Sequence, residues 1–391
     1  MQIRRMDESE FGRSQVTWNE ILENSRTNEV FLLWEWIDSW WKVFRNANRE
    51  LFILGGFDDL GAAVGFAPLY RENVTLLGIH YGKMLKLCGD PEAYPDHMDF
   101  FCQKHREEEF LKAIFRYLRE HTHAWDYIDL NGLSDTSGIR DVLKPGEPDS
   151  DGLRWNWREA STCPYLDTGG DFGGYLESFS AKKRYTLLKK RRILGNQEEF
   201  SVKDVTAARE IERYYDILVS LHVERAARKG IRSAFSSEKA ASFHKKLINA
   251  LDQKDKVALS LLYKKDIPLA AYYCYRHNHK YYFYQSGISR EGEEHSAGVV
   301  LLSRMIQKSF DEGYREFDFL RGAEEYKEYW THTTRKNLSL GIAKWSPKGK
   351  LTRMIFGWQK KMAIAGSQVQ QLLLIVKGRR QWLFNGKNEK Y

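Results

Sequence analysis

The order of elements in this chain repeats. The first half runs LFILGGF (51–57) and AAVGFAPLY (62–70) about the turn DDLG, then the helix-patterned REEEFLKAIFRYLREH (106–121), then the apolar WDYIDLNGL (125–133). The second half runs VALSLLY (257–263), LAAYYCYRH (269–277) and YYFYQSGI (281–288), then AGVVLLSRMIQKSFDEG (297–313) and EFDFLRG (316–322). Apolar runs bounded by Asp, Gly and Pro read as paired strands, and apolar residues three and four apart read as helices. In each half the helix delivers a strand with a central aspartate, Asp129 in the first and Asp318 in the second. A repeated order marks a duplicated unit, because each copy has to bury its own sheet against its own helices. The chain is therefore expected to be an α/β (α+β) protein of two tandem units, with mixed sheets flanked by helices.

Its 391 residues exceed one ordinary domain and suit two. GEPDSDGL (146–153) and Pro164 break the periodicity, which sets units at 1–155 and 156–348 and leaves a tail at 349–391. FLLWEWIDSWWKVF (31–44) has the spacing of a core-facing helix in the first unit. In the second, one helix runs from near Val205 to ARKG, and another opens at SSEKAASF with a serine ahead of Glu238 in capping position.

The net charge of +8 invites a nucleic-acid reading, but its location argues otherwise. Residues 350–391 hold nine Lys and Arg against one acidic residue, Glu389, whereas the first 349 balance 52 against 52. Within the tail, Ile355, Trp358, Met362, Ala365, Val369, Leu372 and Val376 form one apolar seam, with Lys360, Lys361, Lys377, Arg379 and Arg380 off it. That pattern is a basic amphipathic helix, suited to a partner helix or to an anionic membrane surface. The charged opening MQIRRMDESEF and the short run LLLIV indicate neither a signal peptide nor a membrane span. Four scattered cysteines, Cys88, Cys102, Cys163 and Cys274, fit buried reduced thiols and no zinc site. The expected location is the cytoplasm, with peripheral contact at the inner face of the membrane through the tail.

The densest chemical signal is EFDFLRGAEEYKEYW (316–330), where a strand ending in Arg-Gly is followed by Glu324, Lys327 and Trp330. Ligand sites in α/β sheets collect where strands end. Asp318, between two phenylalanines, needs a partner, and Arg321 is the nearest candidate. The pair reads either as a structural bridge or as part of a catalytic site. The loop YQSGISREGEEHSAG could aim backbone N–H groups at an anion, with Ser296 capping the helix that follows, or be an ordinary turn. KKRYTLLKKRR (182–192) carries seven positive charges and no acid; it reads as the solvated face of a helix or as a grip on an anionic substrate. His222 and Arg225 fall on one side of a helix as a possible acceptor-binding pair. No GxSxG, HExxH or paired-carboxylate pattern points to a hydrolase.

Together FLLWEWIDSWWKVF, GFAPLY, KKRYTLLKKRRI, YQSGIS and REFDFLRGAEEYKEYW resemble the GNAT-like acetyltransferases associated with bacterial cellulose and exopolysaccharide synthesis, the CelD-like group. That group is similar in turn to the FemA/FemB aminoacyltransferases. The resemblance covers most of residues 28 to 345 and implies two GNAT-like units, with acyl-CoA (acetyl-CoA) as co-substrate of the second. The donor would lie between YYFYQSGI and EFDFLRG, with Ser286, Gly287, Ser296 and Gly298 around it and Tyr284 on the substrate side. Here REGEEHSAG departs from the family's shorter glycine loop by adding glutamates. The implied reaction is acyl transfer to an amine or hydroxyl of an envelope or exopolysaccharide precursor. Asp318 or Glu324 would act as general base, and Arg321 and Lys327 would orient an anionic group. Two alternatives stand: an aminoacyltransferase using charged tRNA, and a non-catalytic accessory factor of the polysaccharide-synthesis machinery.

Overall fold

Tryptophan sets the first unit's core. Trp18, Trp36 and Trp40 are completely buried, and Trp18 stacks on Phe66 with ring centroids 4.6 Å apart. The computed structural model describes residues 1–146, 153–205, 208–231, 233–235, 237–252, 255–344, 346–347, 349–359 and 361–362. The chain divides into two units, Met1–Pro164 with Arg321–Lys360, and Tyr165–Leu320 with the remainder.

In chain order the first unit contains β1 (Gln2–Arg5), α1 (Glu8–Arg13), α2 (Gln15–Glu23), α3 (Trp34–Phe44), β2 (Arg49–Leu51), β3 (Leu54–Phe57), β4 (Ala63–Ala67), β5 (Leu69–Leu76), β6 (Ile79–Leu87) and β7 (Phe101–Cys102). There follow α4 (Glu107–Glu120), β8 (Tyr127–Ser134), α5 (Ile139–Val142) and β9 (Leu153–Asp167), whose last three residues belong to the second unit. Pro68, which has no N–H to give a ladder, divides the apolar run 62–70 into β4 and β5. Strands β1, β3, β4 and β7 form one antiparallel sheet among the described residues. In the other sheet β5 pairs antiparallel with β6, and β6 runs parallel to β8, with Met84–Lys86 beside Tyr127–Asp129. Beyond that point the chain itself takes β8's free edge. Met98 N–H donates to Gly132 O at 2.7 Å, and Ser134 N–H donates to Met98 O at 3.1 Å.

The second unit contains α6 (Phe172–Glu177), α7 (Ala181–Gly195), β10 (Phe200–Val205), α8 (Ala208–Lys229), α9 (Glu238–Asp252), β11 (Val257–Lys264), β12 (Ile267–His277), β13 (Lys280–Ile288), α10 (Arg290–Glu294), α11 (Ala297–Asp311) and β14 (Glu316–Asp318). Ser237 starts α9 by accepting Ala240 N–H on its hydroxyl, 3.1 Å. Strands β10 to β13 pair antiparallel in sequence, β13 runs parallel to β14, and β14 meets Tyr165–Asp167 of β9. The chain then returns to the first unit with α12 (Glu325–Glu328) and β15 (Thr334–Lys344), which is antiparallel to both β8 and β9.

The repeat holds at the level of register. An antiparallel hairpin, β5–β6 or β12–β13, precedes a helix and a strand parallel to the hairpin's second member. The two aspartates occupy the same step, Asp129 opposite Lys86 and Asp318 opposite Tyr282. Two units of mixed sheet flanked by helices thus follow one another along the chain.

Three expectations change. Residues 153–167 are not an irregular link but one long strand, paired on a run of its residues with β15. Residues 321–344 pack with the first unit because β15 pairs with β8, whereas the sequence assigns 156–348 to the second. EFDFLRG yields only three strand residues. Residues 349–359 are helical, but most of the expected tail helix lies outside the described residues. All four cysteines are free and buried, and among the described residues no helix is long and apolar enough to cross a membrane.

Candidate active site

Strands β13 and β14 pair over three residues, Lys280–Tyr282 against Glu316–Asp318, and among the described residues the pairing stops there. β13 continues to Ile288, whereas β14 turns away because Asp318 ends it. The fully buried Asp318 accepts the N–H of Leu320 on Oδ1 at 2.7 Å, and Leu320 adopts a left-handed φ of 56°. A carboxylate that ties down the turn two residues on is an Asx-type strand stop. The result is a notch along the second half of β13. A register shift opposite Tyr273/Cys274 leaves Tyr284 as an extra residue on that strand, a bulge at the mouth of the notch.

Helix α8 packs directly on this strand. A Cβ at Gly287 would stand 2.6 Å from Leu221 Cβ, 2.8 Å from His222 N and 2.9 Å from Leu218 O, so only glycine permits the approach. The approach places two side chains of α8 on β13's carbonyls. His222 Nδ1 lies 2.8 Å from Ser286 O and Arg228 Nη2 donates to Ile288 O at 2.9 Å. Since a carbonyl only accepts, its proton sits on Nδ1, leaving Nε2 as the lone pair, with a long 3.4 Å contact from Ala234 N–H. Burial lowers the His222 pKa, so the ring is neutral at physiological pH. Tyr284 packs its ring 5.2 Å from that of His244 and 5.1 Å from that of Tyr275.

The loop after β13 is stapled at both ends. Ser289, not Ser296, is the capping serine: its hydroxyl accepts Gly292 N–H at 2.9 Å and starts α10. Ser296 makes no side-chain cap because it takes the left-handed conformation (φ 58°) that joins α10 to α11. Gly298 O accepts from Tyr272 Oη at 2.8 Å, which seats the start of α11 on β12. Each glutamate of the loop meets a cation. Glu291 lies 2.9 Å from Lys264, Glu294 3.7 Å from Arg290, and Glu293 3.6 and 3.5 Å from Arg225 and Arg228. Arg225 thus faces the loop on the same helix as His222.

The remaining sequence candidates belong to the first unit. Arg321 pairs with Asp96, not with Asp318 as the sequence suggested: Nε to Oδ1 is 2.6 Å and the backbone N–H reaches Oδ2 at 3.0 Å. Asn337 donates to the same carboxylate and Pro95 O takes Arg321 Nη2. Asp96 lies 225 positions before its partner, and the only hint of it is the acidic YPDHMDF, residues 94–100. Lys327, nearly inaccessible, spends its ammonium on Arg321 O (2.8 Å) and on Glu324 (2.9 Å), bracing the turn. Glu324 itself is exposed. Among the described residues no group of His, Cys, Asp and Glu is arranged to hold a metal.

Residues 181–328 match the family described as an acetyltransferase (GNAT) domain, a span that holds α7 to α12. No curated protein matches by sequence. Among solved structures, FemX is similar over 91% of this chain and 100% of its own at 12% identity, with a TM-score of 0.61. A conserved protein of unknown function from Bacteroides thetaiotaomicron covers 88% of this chain and 100% of itself at 10% identity, TM-score 0.54. A C-terminal domain assigned to a lysylphosphatidylglycerol synthetase of Agrobacterium fabrum covers 89% and 96% at 11% identity, TM-score 0.50. At these identities the likenesses speak to the fold.

Proposed function

We propose that the second unit is an acyltransferase that lays its donor in the β13/β14 notch, with His222 as the general base. The observation that carries the reading is His222, whose Nδ1–H is held by Ser286 O of β13, so that the lone pair sits on Nε2. In this reaction Nε2 takes the proton of an acceptor amine or hydroxyl as that atom bonds to the donor carbonyl. Backbone N–H groups near Ser286 and Gly287 steady the oxyanion, and collapse of the tetrahedral intermediate breaks the bond to the leaving thiolate, which takes up a proton. His222 is preferred to Asp318, whose carboxylate is buried and holds the turn, and to Glu324, which is exposed and braced by Lys327. Arg225, Arg228, Lys264 and Arg290 offset the loop glutamates and keep acetyl-CoA, with its pyrophosphate, a suitable donor.

The acceptor proposed is an amine or hydroxyl of an envelope or exopolysaccharide precursor, in keeping with the resemblance of the EFDFLRGAEEYKEYW segment. Transfer from aminoacyl-tRNA is the second reading. It is favoured by α7, whose Lys182, Lys189 and Arg192 are exposed, and by the FemX-like fold. Calorimetric titration with acetyl-CoA separates the two donors. His222→Gln should lower kcat by about 10²–10⁴-fold with donor binding intact. Undiminished turnover in that variant would remove His222 from the mechanism.

A further inference from the structure

Away from the notch, the second unit holds a cavity of about 380 Å³ between α7 and α11, floored by β10 and β11. Its charged lining is Arg191 from α7, Arg304, Lys308 and Asp311 from α11, and Asp204 from β10. The acids and bases do not cancel locally. Lys308 lies 3.2 Å from Asp204, which also accepts the Ser260 hydroxyl at 2.5 Å, so that acid is engaged. Arg304 makes no hydrogen bond or ion pair among the described residues. Arg191 donates one Nη2 bond to Gln307 and rests its guanidinium 5.2 Å over the Phe172 ring, while its Nη1 is buried without an acceptor.

Two guanidiniums lining one cavity with unspent donors repel each other, and Arg191 is in addition partly withdrawn from solvent. A buried N–H without an acceptor costs free energy, and an unpaired charge costs more. Burial, and after it the charge of Arg304, lower the Arg191 pKa. Asp311 attracts Arg191 but gives it no hydrogen bond among the described residues. What relieves both guanidiniums at once is an anion with several oxygens, which takes N–H donors from two directions.

We infer that this cavity binds a phosphate group between Arg191 and Arg304, at a site separate from the β13/β14 notch. The volume exceeds what bare phosphate needs and lies within the range of small-molecule sites, so the phosphate is expected to arrive as part of a larger compound. The exposed cations of α7 extend the same charge outward from the cavity.

The test uses the full chain at constant ionic strength, with inorganic phosphate and a nucleoside diphosphate as separate calorimetric titrants and chloride as the control. Arg304→Gln is the informative variant, because Arg304 is exposed and has no partner, so the fold does not depend on it. Both titrants should bind the native protein, and Arg304→Gln should weaken them about ten- to hundredfold, the worth of one charged hydrogen bond. Without phosphate the variant should melt no lower than the native chain, since a repulsion has been removed. Tighter binding of the diphosphate than of inorganic phosphate would identify an ester as the ligand. Equal affinity of native chain and variant, or no phosphate binding at millimolar concentration, would overturn the inference.

Discussion

Replacing Gly287 by alanine tests the contact on which the catalytic proposal depends. The new methyl would stand 2.6 to 2.9 Å from Leu221 Cβ, His222 N and Leu218 O, two of which are backbone atoms of α8 that cannot rotate aside. Ordinary carbon contacts begin near 3.5 Å, so α8 has to retreat by about 1 Å along this stretch. Overpacking of that kind costs about 1–3 kcal/mol. For a unit of about 150 residues this lowers Tm by about 3–10 °C. The retreat carries His222 with it, and its 2.8 Å bond to Ser286 O is stretched beyond hydrogen-bonding range. Displacing a catalytic group by about 1 Å lowers kcat by about 10²-fold. Gly298→Ala is the matched control. Its methyl also meets close atoms, Ile288 Cδ1 at 2.5 Å and Tyr272 Oη at 2.9 Å, but these are ends of side chains. Moving them off their preferred rotamers costs about 0.5–1.5 kcal/mol and leaves His222 in place. Scanning calorimetry and steady-state acyl transfer on both variants decide the matter. A Gly287→Ala protein as stable and active as the native one, or a larger loss in Gly298→Ala, would refute the packing argument.

Three further outcomes follow from buried polar groups. Burial pushes the His244 pKa down to about 3, so between that value and its unfolded pKa near 6.5 only the unfolded chain binds the proton. Stability is then full above about pH 6.5 and falls by up to about 1.4 kcal/mol per pH unit below it; His244→Phe should flatten the urea midpoint between pH 6.5 and 5, and an unchanged slope would exclude His244 as its source. Asp99 in the first unit has the opposite sign: burial raises its carboxyl to about 7, so its contribution is present at low pH and lost as pH rises to 7. Asp99→Asn keeps an oxygen for Ser137 Oγ and Phe100 N–H, and should raise Tm at pH 8 with no gain at pH 4. Lys327→Met leaves Arg321 O without its ammonium and should cost about 1–3 kcal/mol in denaturant unfolding, even though Met fills the space of the stem.

The duplicated architecture was legible because it is written in local periodicity. Each hairpin, the helix after it and the strand with its aspartate could be read from runs of a dozen residues, and the register of Asp129 and Asp318 agrees with that reading. What escaped was non-local. The carboxylate that neutralises Arg321 is decided by tertiary pairing, and proximity in sequence pointed wrongly to Asp318. β9 is hard to read from sequence because its alternation LRWNW is short, its middle REAST is polar and partly exposed, and Pro164 interrupts the run. Ser296 has the capping residue type, but α10 intervenes and takes Ser289 as its own cap, which requires Ser296 to turn left-handed. The sequence offers His222 only as half of a pair with Arg225, since nothing in a single helix reveals that its ring nitrogen meets a carbonyl 64 residues away.

The Met98 segment gives the duplicated architecture a countable consequence. In the first unit, the chain's own residues hold the β8 edge that diverges from β6, through two backbone hydrogen bonds at Gly132 and Ser134. An occupant joined covalently to its site has an effective concentration that no diffusing ligand matches. On the proposed function the two copies are therefore unequal as receptors: one carries an intramolecular surrogate, and the other has to recruit its donor from solution. Titrated to saturation in the Arg304→Gln variant, the donor should show a stoichiometry of one per chain despite the twofold repeat.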